Sequence, residues 1–201
     1  MKLYHSPTSP FVRKVMLVLH ETNQLDTVEI LNVSTTVIAP DTALAAANPL
    51  KKIPALERDS GPTLYDSRVI CEYLDDRAGA GLYAGGWDMK VLEATAEGLM
   101  DSAVSMAYER NLRPAEKQWE AWVAGHQGKV LSACSAVESR WMPMLNGPLN
   151  IGQIAMGAAL SYLDFRHGKC GWRNGNPALT AWFEAFSERP SMVATALPQP
   201  D

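Results

Sequence analysis

The stretch Ser9-Pro10-Phe11-Val12-Arg13-Lys14 places a hydroxyl at the point where a helix begins. Serine is a strong N-cap, and proline suits the first helical position, where its missing N–H is no loss. Val12, Val15, Met16 and Leu19 recur at helical spacing, so this helix buries one face. The free backbone N–H groups of its first turn point out beside the hydroxyl, at the positive end of the helix dipole. Such a place suits a bound anion, and a thiolate is one such anion. Ile53-Pro54 and Asp66-Ser67 bear on the same chemistry. The first pair reads as a loop-to-strand junction, since proline is accepted at the first residue of a strand. The second reads as the cap of another helix.

The elements that position these groups alternate in type through the first part of the chain. Residues 2–6 read as a strand, 10–21 as a helix, 27–33 as a strand and 41–47 as a short alanine-rich helix. Residues 54–57 and 63–65 read as two strands joined by a turn at Asp59-Ser60-Gly61, and 67–77 as a helix. That is an α/β unit. The glycine-rich residues 79–86 read as a linker. Strand signals then vanish. Residues 87–111 and 114–141 read as long helices broken at Arg113-Pro114, and 151–166 as a helix with a face of small residues. A last helix, 178–188, is opened by Asn176-Pro177. Asn150 and Gln153 stand at capping-box spacing. The tail from Ala196 to Asp201 holds two prolines and is expected to wrap or fray. The expected division is a first domain over 1–78, a linker over 79–86 and an all-helical domain over 87–201.

Composition narrows the classes of partner. The chain has 201 residues, enough for one or two domains with a sizeable core. Its formal net charge is −4 and no basic cluster stands out, which disfavours nucleic acid or an anionic membrane as the main partner. No stretch is long and apolar enough to span a bilayer. Residues 1–5 run straight into a strand pattern and lack the apolar run of a signal peptide. The three cysteines, Cys71, Cys134 and Cys170, are far apart and form no zinc pattern. That fits a reducing cytoplasm, the expected location. The four histidines share no metal spacing, and no metal is expected.

Taken together, the motifs resemble the glutathione transferase family, of a bacterial, Ser-type, theta/delta-like kind. Ser9-Pro10-Phe11 sits where members place a catalytic Ser, Cys or Tyr. The segment from Asn48 to Leu56 resembles the family segment that ends in a cis-proline. Leu64 to Ile70 resembles the segment that grips the γ-glutamyl end of glutathione, and Asn150 to Arg166 the core helix of the second domain. The resemblance implies a thioredoxin-like N-terminal domain, ordered βαβαββα, followed by a helical bundle.

What the resemblance implies for individual residues is specific. Ser9 would be catalytic and stabilise the glutathione thiolate, with Ser6 and Thr8 as nearby alternatives. Tyr4 lies on the first strand, before the loop, and is discounted. Pro54 would be cis, exposing the backbone N–H and C=O of Ile53 to the cysteinyl unit like an added strand. The Ser67 hydroxyl and N–H would hold the γ-glutamyl carboxylate, with Asp66 facing its ammonium. Lys52, or Lys51, would meet the glycyl carboxylate. Phe11, Met106 and Tyr108 would wall the pocket for an apolar electrophile. A homodimer is implied, in which Asp101, one turn beyond Glu97, would reach the partner's glutathione.

The energy required of Ser9 is modest. A free thiol titrates near about 8.5, and bringing it to about 6.5 takes roughly 2.7 kcal/mol. A hydrogen bond to a charged group supplies about 1.5–3 kcal/mol and a helix N-terminus about 0.3–1 kcal/mol. No His or Lys base is required. Thioredoxin-like redox enzymes place a second Cys three residues after the first; Ser9 and Val12 occupy those positions here, which excludes dithiol chemistry. The expected activity is conjugation of glutathione, as cosubstrate, to electrophilic, largely apolar small molecules, a detoxification chemistry. The alternatives are a glutathione-binding regulatory or stress protein with little turnover, and a glutathione-dependent isomerase or dehalogenase.

Overall fold

Strand β1 (Lys2–His5) is the centre of a three-stranded sheet, flanked by β2 (Glu29–Asn32) in parallel and β3 (Ala55–Glu57) in antiparallel pairing. The structure, a computed structural model, describes residues 1–198; the second half of the expected tail, from Gln199 on, lies outside it. Successive side chains of a strand point to opposite faces. Leu3 accordingly enters the main core, while Tyr4 packs with Leu44 and Ala55 on the other face. Helices α1 (Pro10–Glu21) and α3 (Ser67–Ala78) cover the first face, and α2 (Thr42–Ala47) brings Leu44 to the second.

The strand expected at 63–65 is reduced to a single bridge, Leu56 to Leu64. The intervening turn at 58–62 contains Pro62 and leaves too few residues for a longer ladder. Helix α3 ends at Gly79 in the left-handed conformation, with φ +62°, which glycine adopts without steric penalty. The glycine-rich segment that follows is pinned. The Asp75 carboxylate accepts the N–H groups of Leu82 and Tyr83 at 2.8 and 3.1 Å.

The other α-helices among the described residues are α4 (Gly86–Asn111), α5 (Glu120–Arg140), α6 (Met142–Leu145), α7 (Ile151–His167), α8 (Pro177–Ser187) and α9 (Pro190–Ala194). Helix α5 starts six residues later than Pro114, its expected start, because that proline is extended, with ψ 139°. Glu109 instead accepts the Trp119 N–H at 2.8 Å, just before the helix. Helices α6 and α9, absent from the sequence reading, are short turns with Pro143 and Pro190 in their first positions.

Helix α7 is the hub of the second domain and is buried along most of its length. A Cβ at Gly152 would lie 2.7 Å from Leu92, and one at Gly157 2.6 Å from Phe186, so glycine lets α4 and α8 close on it. The uncharged capping box is present. Asn150 Oδ1 accepts the Gln153 N–H at 3.1 Å, and Gln153 Oε1 accepts the Asn150 N–H at 3.3 Å. The Asn150 amide also donates to the carbonyls of Met144 and Pro148. Asn150→Ala is therefore expected to lower stability by about 1–2 kcal/mol. Urea unfolding should show a lower midpoint at unchanged slope; an unmoved midpoint would contradict the cap.

Candidate functional site

The three sequence stretches converge at one end of the sheet. In the β1–β3 pairing Leu3 faces Leu56 and Tyr4 faces Ala55. Ile53 and Pro54 thus lie just beyond the end of the ladder where β1 runs on into the loop leading to Ser9. On β3 the antiparallel Leu56–Leu64 bridge directs the chain toward the same end, where Asp66 opens α3. The starts of α1 and α3 thus flank the turn at Ile53-Pro54.

Ser9 is the N-cap of α1, and its Oγ accepts the Val12 N–H at 3.3 Å. Capping uses an oxygen lone pair and leaves the hydroxyl proton free to donate. The Ser6 and Thr8 hydroxyls lie 3.4 Å from each other in the same loop. Tyr4 is otherwise engaged. Its hydroxyl donates to Glu57 at 2.6 Å, and that bond and burial push its pKa up to about 12.

The Ile53–Pro54 bond is cis, as is Tyr65–Asp66. Among the described residues neither the N–H nor the C=O of Ile53 joins a backbone hydrogen bond. The loop before it is organised by Asn48, a residue to which the sequence reading gave no role of its own. Buried, Asn48 donates its amide to the Lys52 carbonyl at 2.8 Å and accepts the Leu50 N–H at 3.0 Å. Lys51 and Lys52 are exposed, and neither is in an ion pair among the described residues.

At the start of α3, Asp66 is the N-cap and accepts the Arg68 N–H at 3.0 Å. The Arg68 side chain pairs with the same carboxylate at 2.9 Å. Partial burial acts to raise the Asp66 pKa, but the hydrogen bonds from Arg68 outweigh it and hold the carboxyl below its usual range. Ser67 differs from expectation. It is 1% exposed, and its Oγ donates to Glu97 Oε1 at 2.9 Å. A serine hydroxyl has one proton, so the hydroxyl is committed to Glu97. What α3 offers a ligand is the Ser67 N–H, which has no intrahelical partner.

Beneath both helix starts lies a buried charge cluster that sequence reasoning missed. Lys14 has no exposure, and its Nζ is 2.5 Å from both Glu93 Oε1 and Glu97 Oε1 on α4. The Tyr83 hydroxyl donates to Glu93 at 2.7 Å. Burial acts to lower the Lys14 pKa, but the surrounding groups, Glu97 and Glu93 among them, outweigh it and keep the ammonium charged. The available signal was a lysine at a core position of α1 together with two acidic residues one turn apart on α4.

The residues expected to wall an electrophile pocket do not all face one space. Met106 and Tyr108 are two positions apart on α4 and therefore face opposite ways. Met106 is in the core at 2% exposure, which removes it from any pocket wall; Tyr108 is 40% exposed and Phe11 half-buried. Glu97 is buried, whereas Asp101, one turn on, is exposed. Partial shielding of its carboxyl by neighbouring groups and then Glu97 raise the Asp101 pKa, opposed by Lys52 and Arg68 of the same chain.

Residues 3–81 match the family profile of the glutathione S-transferase N-terminal domain, and residues 120–185 that of the C-terminal domain. A glutathione transferase family member from Pseudomonas fluorescens Pf-5, solved with bound glutathione, is 42% identical over 98% of each chain, with a TM-score of 0.92. A structure of a family member from the same organism with bound S-(propanoic acid)-glutathione is 40% identical over 98% of this chain and 100% of that one, with a TM-score of 0.88. The uncharacterized GST-like protein YibF of Escherichia coli K12 is 31% identical over 99% of this chain and all of its own length.

The Asp66–Arg68 pair has a direct readout. In the folded state the Asp66 pKa is depressed, so the pair's contribution to stability is present above about pH 4, the unfolded value. It is lost as the pH falls through the lower folded value. Arg68→Gln should raise the Asp66 pKa, as followed by NMR titration of its carboxyl carbon; an unshifted titration would contradict the pairing.

Proposed function

This chain belongs to the glutathione S-transferase family, and we propose that it conjugates the thiolate of glutathione to electrophilic, largely apolar small molecules. The observation that carries the reading is the Ser9 hydroxyl, which accepts a cap bond from Val12 and keeps its proton for an anion at the start of α1. The thiol of bound glutathione would lie there. Donation from Ser9 and the positive end of α1 together supply about the 2–3 kcal/mol needed for ionisation near neutral pH. The thiolate then attacks an electrophilic carbon, forming the carbon–sulfur bond as the leaving group departs or the double bond takes up the charge.

The rest of glutathione runs along the converged edge. The free N–H and C=O of Ile53 pair with the cysteinyl unit as an added strand would. The γ-glutamyl carboxylate takes the Ser67 N–H and the α3 dipole, and its ammonium meets Asp66, which has acceptor capacity beyond its bonds to Arg68. Lys52 meets the glycyl carboxylate. Phe11 and Tyr108 border the place left for the electrophile. The glutathione ligands of the two Pseudomonas fluorescens structures support this reading. No helix among the described residues is long and apolar enough to cross a membrane, and a cytoplasmic detoxification role is proposed, since glutathione is abundant there.

We also propose a homodimer. Val69 of α3 and Trp87 and Val91 of α4 are exposed apolar side chains, and a pairing of chains would cover them. Asp101, exposed on α4, would reach the glutathione of the partner subunit. Light scattering should give twice the chain mass of 22.0 kDa at micromolar concentration; the single-chain mass would refute the dimer. Ser9→Ala should move the acidic limb of the conjugation pH profile upward by about one to two units, with glutathione affinity little changed. A profile identical to wild type would remove Ser9 from the mechanism and turn attention to Thr8 and Ser6.

A further inference from the structure

We propose that the outward face at the start of α5 binds a planar aromatic anion, a ring system carrying a carboxylate or sulfonate, at a site separate from the one proposed for glutathione. Trp119 and Trp122 are 63% and 46% exposed, and their indoles lie nearly parallel with centroids 6.5 Å apart. With Ala121, Gly125, His126 and Lys129 they line a shallow recess of about 260 Å³. Gly125 keeps it open. A Cβ there would meet no atom within 4 Å, although glycine is unfavourable inside a helix. The His126 ring stands edge-on to Trp122 with centroids 4.7 Å apart. Its Nδ1 is buried and has no hydrogen-bond partner among the described residues. Buried polar atoms are nearly always bonded, so the recess holds a polar capacity that its own residues do not use.

Charge selects the ligand. Lys129 is exposed and is in no ion pair among the described residues. Burial and then Lys129 lower the His126 pKa, so the imidazole is neutral near pH 7 and the lining carries one positive charge. The adjacent acid, Glu120, is taken by Arg110, whose Nη2 donates to it at 2.7 Å. A cation over the indoles would be repelled by Lys129. An anion is drawn to it while its ring stacks on the indoles. The Arg110–Glu120 bond also fixes where the recess lies, at the far end of α4. At about 1.5 Å per residue, Glu97 beside the proposed glutathione site is roughly 20 Å back along that helix, and the exposed Val91 roughly 30 Å. The recess is therefore outside the face proposed for the dimer. Six residues of one helix fall short of the about 20–30 a side that a stable protein interface uses, which favours a small ligand.

The probe is 8-anilinonaphthalene-1-sulfonate, a linked-ring sulfonate whose emission rises on leaving water. It is titrated into the full chain with S-hexylglutathione present to fill the proposed glutathione site. Trp119→Ala, which keeps the main-chain bond to Glu109, should weaken binding about fivefold. Lys129→Gln should weaken it about threefold, and added salt should weaken wild type far more than this variant. Gly125→Leu should fill the recess and weaken binding while melting at or above the wild-type temperature, since leucine is the better helix former. Equal binding by wild type and all three variants would overturn the proposal, as would loss of the signal to S-hexylglutathione or no binding at all. Equally tight binding of neutral N-phenyl-1-naphthylamine would remove the need for an anion and overturn it too. A smaller mass for Trp119→Ala than for wild type in light scattering would make this face a contact between chains, with the same consequence.

Discussion

A lysine ammonium sealed from water sets the conditions for the rest of this molecule. Lys14 is fully buried between Glu93 and Glu97, and a charge in such a place is tolerated only when its partners are close and themselves hydrogen-bonded. Tyr83 and Ser67 complete that requirement by donating to the two carboxylates. Hydrophobic contacts between the α/β unit and the helices tolerate sliding, since apolar burial has no direction. The ion cluster does have direction. It holds α1, α3 and α4 in one relative position, and both helix starts at the proposed glutathione site belong to the helices so held.

From that position the chemistry follows with few groups. Ser9 caps α1 through a lone pair and keeps a proton to give. The turn at Ile53-Pro54 leaves main-chain groups without partners among the described residues, and the buried amide of Asn48 holds the loop before it. Asp66 and Arg68 form an exposed pair at the start of α3. None of these needs a titrating base, so the reaction would depend on how well two helix starts are placed.

Much of this was legible in the sequence because it is local. The cap at Ser9, the cap at Asp66, the box of Asn150 with Gln153 and the helix of Pro10 to Glu21 each depend on residues within a few positions of one another. The expectation of a cis bond before Pro54 came from resemblance to a family, since local propensity argues against it. What escaped was non-local. Nothing near Lys14 in sequence announces two carboxylates some eighty residues away. The fate of the Ser67 hydroxyl depends on the same distant helix. Met106 was misplaced because a helical face was assigned from residue type alone, and α4, apolar on more than one side, gives a weak pattern. The bond from the Trp119 N–H to Glu109, just before α5, likewise needs a partner ten residues away.

In the function proposed, the start of α1 holds glutathione as its thiolate. The ultraviolet absorbance of the thiolate, followed against pH with saturating enzyme and wild-type sequence, tests it most directly. Bound glutathione should ionise about one to two units below the free thiol. Ionisation of bound glutathione at the value of the free thiol would contradict it.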